Sequence, residues 1–165
     1  MARIVGARHD AGRPDPAAEV ACVFRAPLLV PGMSALANVE LPLGYALTGA
    51  AERRRRAMAA LDIAGVARLA VRRPEGMSPA EAKMVAIARA LVVAPELIIY
   101  DEPVAGMPPP SRARVLRLLD RLAGIGVTQL VITRDPRVAA HAGYALPTLP
   151  GGPGGSVRCD DRTDP

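Results

Sequence analysis

The fold is decided by the stretch Leu97-Ile98-Ile99-Tyr100-Asp101-Glu102-Pro103. Its first four residues are branched or aromatic and follow Pro95, a pattern that is typical of a buried strand. Two adjacent carboxylates come directly after this strand, at the end where open α/β sheets bind ligands. At such a position Asp101 can hold Mg²⁺ through water, and Glu102 can polarise an attacking water.

A second informative stretch lies upstream and reads Met77-Ser78-Pro79-Ala80-Glu81, followed by Val85-Ala86-Ile87-Ala88-Arg89-Ala90-Leu91. We predict that Ser78, Pro79 and Glu81 are the N-cap, N1 and N3 residues of a helix, which together make a capping box. In order and spacing, this helix start and the strand at 97–100 resemble the signature helix and Walker B strand of ATP-binding-cassette (ABC) ATPase domains.

The resemblance implies an α/β fold, namely an incomplete ABC-type P-loop NTPase core, with a parallel sheet and flanking helices, plus a helical subdomain. The strand–helix–strand pattern at 97–133 independently favours a parallel sheet, because it predicts a βαβ unit. We predict that residues 1–148 form the truncated ATPase domain, with the helical subdomain at about 34–94. Residues 149–165 are rich in Gly, Pro and Asp and are expected to form a disordered tail.

Hydrophobic periodicity and turn residues predict the individual elements. Ser111 is expected to cap the last predicted helix. On the second strand, the side chains of Val20, Cys22 and Phe24 are expected to face inward. The predicted strands cover 3–5, 19–24, 97–100 and 127–133, and the predicted helices cover 51–63, 79–93 and 112–123.

The composition predicts a protein with an aliphatic core, since half of the residues are hydrophobic and very few are aromatic. No apolar run approaches the ~20 residues that a membrane-spanning helix needs, and the first residues are too polar for a signal peptide. Cys22 and Cys159 are far apart, so neither a disulfide nor a metal site is expected. These features favour a soluble protein of a reducing cytoplasm.

The net charge of +5 comes almost wholly from arginine, which is densest at residues 53–56. Such a run can bind nucleic acid or lipid headgroups, or it can be the solvated face of a helix at 51–63. The second interpretation is favoured, with Ala57, Met58 and Leu61 turned inward, because no aromatic stacking residues accompany the run. We therefore expect no nucleic-acid partner.

The phosphate-binding loop Gly-x-x-x-x-Gly-Lys-Ser/Thr does not occur within these 165 residues. The single lysine, Lys83, lies in the signature helix, and the Gly-rich run at 151–156 contains no lysine. The resemblance implies ATP and Mg²⁺ as cofactors of the family and places this loop before residue 1. Without the loop, we expect the chain alone neither to bind Mg·ATP at millimolar concentration nor to hydrolyse it.

The resemblance also assigns four positions around the nucleotide. Asp101 takes the Walker B magnesium position and Glu102 the catalytic-base position, whereas Arg25 replaces the Gln-loop glutamine and Arg134 the switch histidine. A guanidinium has donors only and cannot ligate a cation. We hypothesise that Arg25 and Arg134 neutralise the two carboxylates, which converts the site into a salt-bridge cluster. Alternatively, Arg25 is a surface residue and Asp101 is inherited without a present task.

The signature positions are occupied by Ser78, Pro79, Ala80 and Glu81, where active members have Ser-Gly-Gly-Gln. In the family this helix start receives the γ-phosphate bound on the partner subunit. A capping box here satisfies the helix N–H groups internally, and the Glu81 carboxylate repels phosphate. Pro108 similarly replaces the D-loop aspartate.

Three functional hypotheses remain open. In the first, the chain is a degenerate, non-hydrolytic subunit, peripheral at the inner face of the cytoplasmic membrane, that pairs with an intact ABC ATPase and docks a membrane permease through residues 26–43. In the second, it is the truncated product of an ordinary ABC transport ATPase, and in the third a decayed gene product. The substitutions at the Gln-loop, signature, D-loop and switch positions favour the first. Residues 38–43 and 100–103 most resemble ATPases of the Mla/Mce or lipoprotein-release type, which implies lipid transport.

Overall fold

The computed structural model describes residues 20–45 and 49–139, and within them three parallel strands form one sheet. The strands are β1 (Val20–Val23), β2 (Leu97–Asp101) and β3 (Gln129–Ile132), with β2 in the centre. Val23 lies opposite Tyr100, which in turn lies opposite Val131. The parallel sheet predicted from the βαβ pattern is confirmed. The predicted strand at 3–5 and the predicted tail at 149–165 lie outside the described residues.

Five α-helices accompany the sheet in the described part of the chain: α1 (Ala35–Glu40), α2 (Ala50–Ile63), α3 (Pro79–Leu91), α4 (Pro109–Gly124) and α5 (Pro136–Ala139). Short 3₁₀ turns lie at Leu41–Tyr45, Ala67–Leu69 and Pro74–Gly76. Helix α4 begins at Pro109, so the prediction that Ser111 caps it is wrong. Its N-cap is Pro108, and Pro109 and Pro110 occupy the first turn, where the missing N–H of proline costs nothing.

Helix α3 is the central element of the core, packing against α1, α2, α4 and β1. Nine of its residues are buried, among them Val85, Ile87 and Ala88, which are completely shielded from solvent. A helix that is apolar on most of its surface is stable only when other elements enclose it. Helices α1, α2 and α3 all lie within the predicted subdomain at about 34–94, whose boundaries remain a prediction.

The sheet buries one face and leaves the other partly open. Val23, Ile98 and Tyr100 point to the buried face and are at most 2% exposed. The predicted inward face of β1 is wrong. Val20, Cys22 and Phe24, which were expected to face inward, are exposed, and Val23 on the opposite face is in the core. In a strand this short, both sets of positions are apolar, so alternation alone does not select the buried face.

The arginine-rich helix α2 is oriented as its sequence predicts. Ala57 and Leu61 are buried, whereas the side chains of Arg55 and Arg56 extend into solvent and form ion pairs with Glu52. The partners in these ion pairs are three and four residues apart, a spacing that places them next to each other on the helix surface. The run at 53–56 is therefore the solvated face of a helix.

No helix in residues 20–45 and 49–139 has the length and apolar character that crossing a bilayer requires.

Candidate functional site

The carboxyl ends of β1, β2 and β3 meet at one edge of the sheet, because the strands are parallel. Asp101 is the last residue of β2 and Glu102 follows it directly, while Arg25 and Arg134 lie two residues beyond the ends of β1 and β3. The topology therefore brings to this edge all four residues that the resemblance assigns around a nucleotide.

Glu102 is anchored by its neighbours on β3. Its backbone has φ +45°, a left-handed conformation that is costly for a residue other than glycine. The Glu102 N–H donates to the carbonyl of Ile132 at 2.8 Å. One carboxylate oxygen accepts from the backbone N–H of Arg134 at 2.8 Å, and the other accepts from the Thr133 hydroxyl at 3.1 Å. Both oxygens are thus engaged by the chain itself.

The hypothesis of a salt-bridge cluster is wrong for the described residues. No ion pair joins Asp101 or Glu102 to either Arg25 or Arg134 in this part of the chain. The reason is local geometry: Glu102 reaches the backbone amide and hydroxyl that begin the turn after β3, so Arg134 meets it with its main chain. The side chains of Arg25 and Arg134 are exposed.

Sequence reasoning missed Lys83, which lies behind this edge. The lysine is 1% exposed, and its ammonium donates to the carbonyl oxygens of Phe24 at 2.6 Å and Arg25 at 2.8 Å. Burial lowers the pKa of Lys83 to about 8, an effect that the charge of Asp101 partly opposes. The available signal was that the chain's single lysine falls in the apolar stretch of the signature helix.

Helix α3 is capped at its N-terminus by its own side chains. The Ser78 hydroxyl accepts from the Glu81 N–H at 3.3 Å and donates to a Glu81 carboxylate oxygen at 2.9 Å. That same oxygen accepts from the Ser78 N–H at 3.0 Å, which confirms the predicted capping box. Pro79 occupies N1, and Ala80 is buried beneath the helix start.

Glu81 is also held from the side by Arg68, which forms an ion pair with its second carboxylate oxygen. Hydrogen bonds from the Ser78 backbone and from Arg68 lower the pKa of Glu81 to about 2. Glu81 is only 8% exposed, and its negative charge lies at the positive end of the helix dipole. The helix start therefore carries its own anion.

Asn38 is a second residue that sequence reasoning missed. It is completely buried in α1, where its amide oxygen accepts from the Val30 N–H at 2.7 Å. Its amide nitrogen donates to the carbonyls of Val30, Met33 and Ser34 at 3.1–3.3 Å. The side chain thereby ties residues 30–34 to α1.

No cluster of three or more His, Cys, Asp or Glu side chains that could hold a metal ion is present among residues 20–45 and 49–139. Cys22 is a free, exposed thiol, and Cys159 lies outside the described residues.

The family model described as "ABC transporter" matches residues 4–105, which is more than half of the chain. The chain is 43% identical over 124 residues to the pyoverdine export ATP-binding/permease protein PvdT of Pseudomonas syringae pv. tomato, a match that covers 75% of this chain and 19% of that protein. It is 39% identical over 120 residues to the macrolide export ATP-binding/permease protein MacB of Burkholderia pseudomallei, covering 73% and 18%. The chain thus spans less than a fifth of the length of these relatives.

Solved structures share the fold. The dimeric structure of the ATP-binding cassette MJ0796 in a post-hydrolysis state bound to ADP and Pi superposes with a TM-score of 0.63 at 34% identity, covering 74% of this chain and 55% of that one. The structure of cbiO1 from Clostridium perfringens gives a TM-score of 0.66 at 29% identity, covering 72% and 48%. Sequence and fold together show that this chain belongs to the ABC transporter family, as a relative of its ATP-binding domains.

Proposed function

We propose that this chain is a degenerate, non-hydrolytic ATP-binding subunit of an ABC transporter, which pairs with an intact ATPase and with a membrane permease. The observation that carries the proposal is the self-capped start of α3. The Glu81 carboxylate accepts from the N–H and the hydroxyl of Ser78, and the Ser78 hydroxyl accepts from the Glu81 N–H, in a position where an active signature motif receives phosphate.

Electrostatics at the helix start exclude a nucleotide phosphate. A phosphate binds a helix N-terminus because unsatisfied N–H groups and the helix dipole favour an anion there. Here Glu81 supplies that anion, and with a pKa of about 2 it stays ionised at neutral pH. A phosphate would have to displace an ion-paired carboxylate and then lie against it, so the site does not fit the γ-phosphate.

The sheet edge fits Mg·ATP equally poorly. Each carboxylate oxygen of Glu102 already accepts one hydrogen bond from the residues after β3, so part of its hydrogen-bonding capacity is taken up by the chain. The positions of the Gln-loop and the switch histidine carry Arg25 and Arg134, which cannot ligate a cation. Asp101 keeps the residue type of a magnesium position, and its assignment as a magnesium ligand remains a prediction.

The proposed permease contact is residues 26–43, the segment between β1 and α2. Its surface carries exposed apolar side chains: Leu28 is 59% exposed and Val30 40%. Phe24, the residue just before this segment, is 52% exposed. An apolar patch of this kind on a protein surface commonly marks a protein-binding site. Docking there would place the subunit at the inner face of the cytoplasmic membrane. The proposal includes no nucleic-acid partner.

Relatives support the partner assignment in general terms. PvdT and MacB are named as ATP-binding/permease proteins, and MJ0796 is described as dimeric. A subunit derived from such a domain is expected to work beside a permease and a second ATP-binding domain. The names of these two relatives give pyoverdine export and macrolide export, so lipid transport stays a prediction from the motifs alone.

A second candidate is the truncated product of an ordinary ABC transport ATPase. In that case the sites downstream of the missing loop should still suit nucleotide, whereas Glu81 and Pro108 alter two of them. A decayed gene product would show neither ATP binding nor a partner.

Co-purification tests the partner assignment. The tagged chain is expressed with the permease and ATPase genes of its own genomic neighbourhood, and the complex is captured from detergent extracts. We expect the chain to be recovered with both subunits, and a Leu28→Asp, Val30→Asp variant to lose the permease while remaining folded. Recovery of the folded chain alone, with every neighbouring permease tested, would contradict the proposal.

A further inference from the structure

Two basic residues of α3 are directed at the loop that follows β1. The Lys83 ammonium donates to the carbonyls of Phe24 and Arg25. Six residues further along the helix, the Arg89 guanidinium donates to the carbonyl of Leu28 at 2.7 Å and to that of Pro27 at 3.0 Å. Because a helix rises about 1.5 Å per residue, the two side chains hold the loop at points roughly 9 Å apart along α3.

One residue of the held loop has a strained backbone. Leu28 has φ +47°, in the left-handed region that glycine tolerates and that branched side chains avoid. Its side chain is 59% exposed, so packing does not stabilise this conformation. Strained backbone persists where surrounding contacts determine it, and the fork of Arg89 on the two carbonyls is the contact that the structure provides.

Both cations are withdrawn from water at a cost, Lys83 completely and Arg89 in part. Burial lowers the pKa of Lys83 and of Arg89, since a charge is less stable away from water. An apolar residue at position 83 would pack into α3 without this cost. The bonds that offset the desolvation all go to four carbonyls of residues 24–28, which border the exposed side chains of Phe24, Leu28 and Val30.

We infer that Lys83 and Arg89 are positioning residues, which fasten residues 24–28 to α3 and so pre-organise the apolar surface of Phe24, Leu28 and Val30 for a partner. The identity of that partner as a permease rests on the proposed function; the clamp itself does not. Pre-organisation favours binding because the loop has little conformational freedom left to lose.

Hydrogen–deuterium exchange of the isolated chain tests the clamp without any partner. We compare wild type with Lys83→Met, Arg89→Gln and the double variant, and use Arg117→Gln on the exposed face of α4 as the matched control. We expect amide exchange across residues 26–33 to accelerate at least tenfold in the double variant, with α4 and β2 unchanged. Arg89→Lys, which keeps the cation but loses the fork, should show an intermediate rate.

Chymotrypsin provides a second readout, because it cleaves after exposed Phe and Leu. Nicking at Phe24 and Leu28 should be faster in Arg89→Gln, a variant at a half-exposed position that should fold even if Lys83→Met does not. Unchanged exchange and nicking in the folded variants would overturn the inference. So would a loss of protection spread evenly over α4 and the sheet, which would show that the two residues merely support the core.

The binding arm separates this inference from the proposed function. If the permease co-purifies, it is immobilised on a surface without this chain. The double variant should then associate with it at least fivefold more slowly than wild type. If no permease is recovered while exchange of residues 26–33 still accelerates, the clamp stands and the permease assignment fails. Equal association rates, measured on variants whose loops exchange faster, would overturn the claim that the clamp serves docking.

Discussion

At the scale of single residues, Glu81 has the largest effect on the proposed function. Its carboxylate caps α3, pairs with Arg68 and occupies the electrostatic position that a phosphate would need. One side chain therefore stabilises the helix start and, in our proposal, also removes an anion site. The two consequences share a cause, since both arise from the same charge at the same helix end.

The pH dependence of stability should reveal Glu81. Its folded-state pKa of about 2 lies below the ordinary value of 4.5, so its contribution is fully present above pH 4.5 and is lost as pH falls through 2. We expect Glu81→Gln to lower the free energy of unfolding by about 1–3 kcal/mol at pH 7. The deficit relative to wild type should shrink between pH 4.5 and pH 2.

Chemical denaturation across that pH range provides the measurement. Arg68→Gln is the companion variant: its side chain is 58% exposed, so we expect a loss below about 1 kcal/mol. A Glu81→Gln deficit of the same size at pH 2.5 as at pH 7 would show that the carboxylate does not titrate as described.

The sequence predicted the capping box of α3 because its two partners, Ser78 and Glu81, lie within four consecutive residues. Lys83 and Asn38 could not be predicted in the same way. Lys83 bonds carbonyls 58 and 59 residues away, and Asn38 bonds a loop whose conformation the sequence does not specify. The expected pairing of Arg134 with Glu102 failed for a similar reason, since backbone donors reached the carboxylate instead.

At the scale of elements, helix α3 connects the sheet to the rest of the molecule. It packs on β1 and α4 as well as on α1 and α2, and its basic residues hold the loop after β1. Helix α1 organises the other end of the proposed docking segment through Asn38. Two helices thus determine the conformation of residues 24–34 from opposite ends.

Asn38 should be the most sensitive polar position of α1. We expect Asn38→Ala to lower the free energy of unfolding by about 2–4 kcal/mol, because it leaves the N–H and C=O of Val30 without their partner and opens a cavity. Glu40→Gln, on the same helix at a partly exposed position, is the control and should change stability by less than about 0.5 kcal/mol. Urea unfolding would measure both, and a loss below about 1 kcal/mol for Asn38→Ala would contradict its role.

Periodicity predicted the long helices well, because α2 and α3 have patterns that extend over several turns. The predicted and observed starts differ by one residue for α2 and coincide for α3. The facing of β1 was not predictable, since four residues with apolar side chains on both faces carry no alternation. The start of α4 was missed because three consecutive prolines at 108–110 suggest a turn, although they fit a helix N-terminus.

At the scale of the whole molecule, family membership rests on sequence and fold together, whereas loss of nucleotide binding is our proposal. The Walker B strand and the order of motifs predicted the family because they are local sequence features. Which of the remaining positions still suit a nucleotide depends on contacts between elements, such as those of Glu81 with Arg68 and of Glu102 with the end of β3. These contacts between elements could not be predicted from the sequence and are seen only in the folded structure.

The central claim is that this chain does not bind Mg·ATP, and isothermal titration calorimetry of the 165-residue protein tests it most directly. ATP is titrated to millimolar concentration with Mg²⁺ and, in a parallel run, with EDTA, and an intact ABC ATPase domain serves as the positive control. We expect no saturable heat above the dilution blank in either run. A saturable, Mg²⁺-dependent isotherm with a Kd below ~1 mM would contradict it.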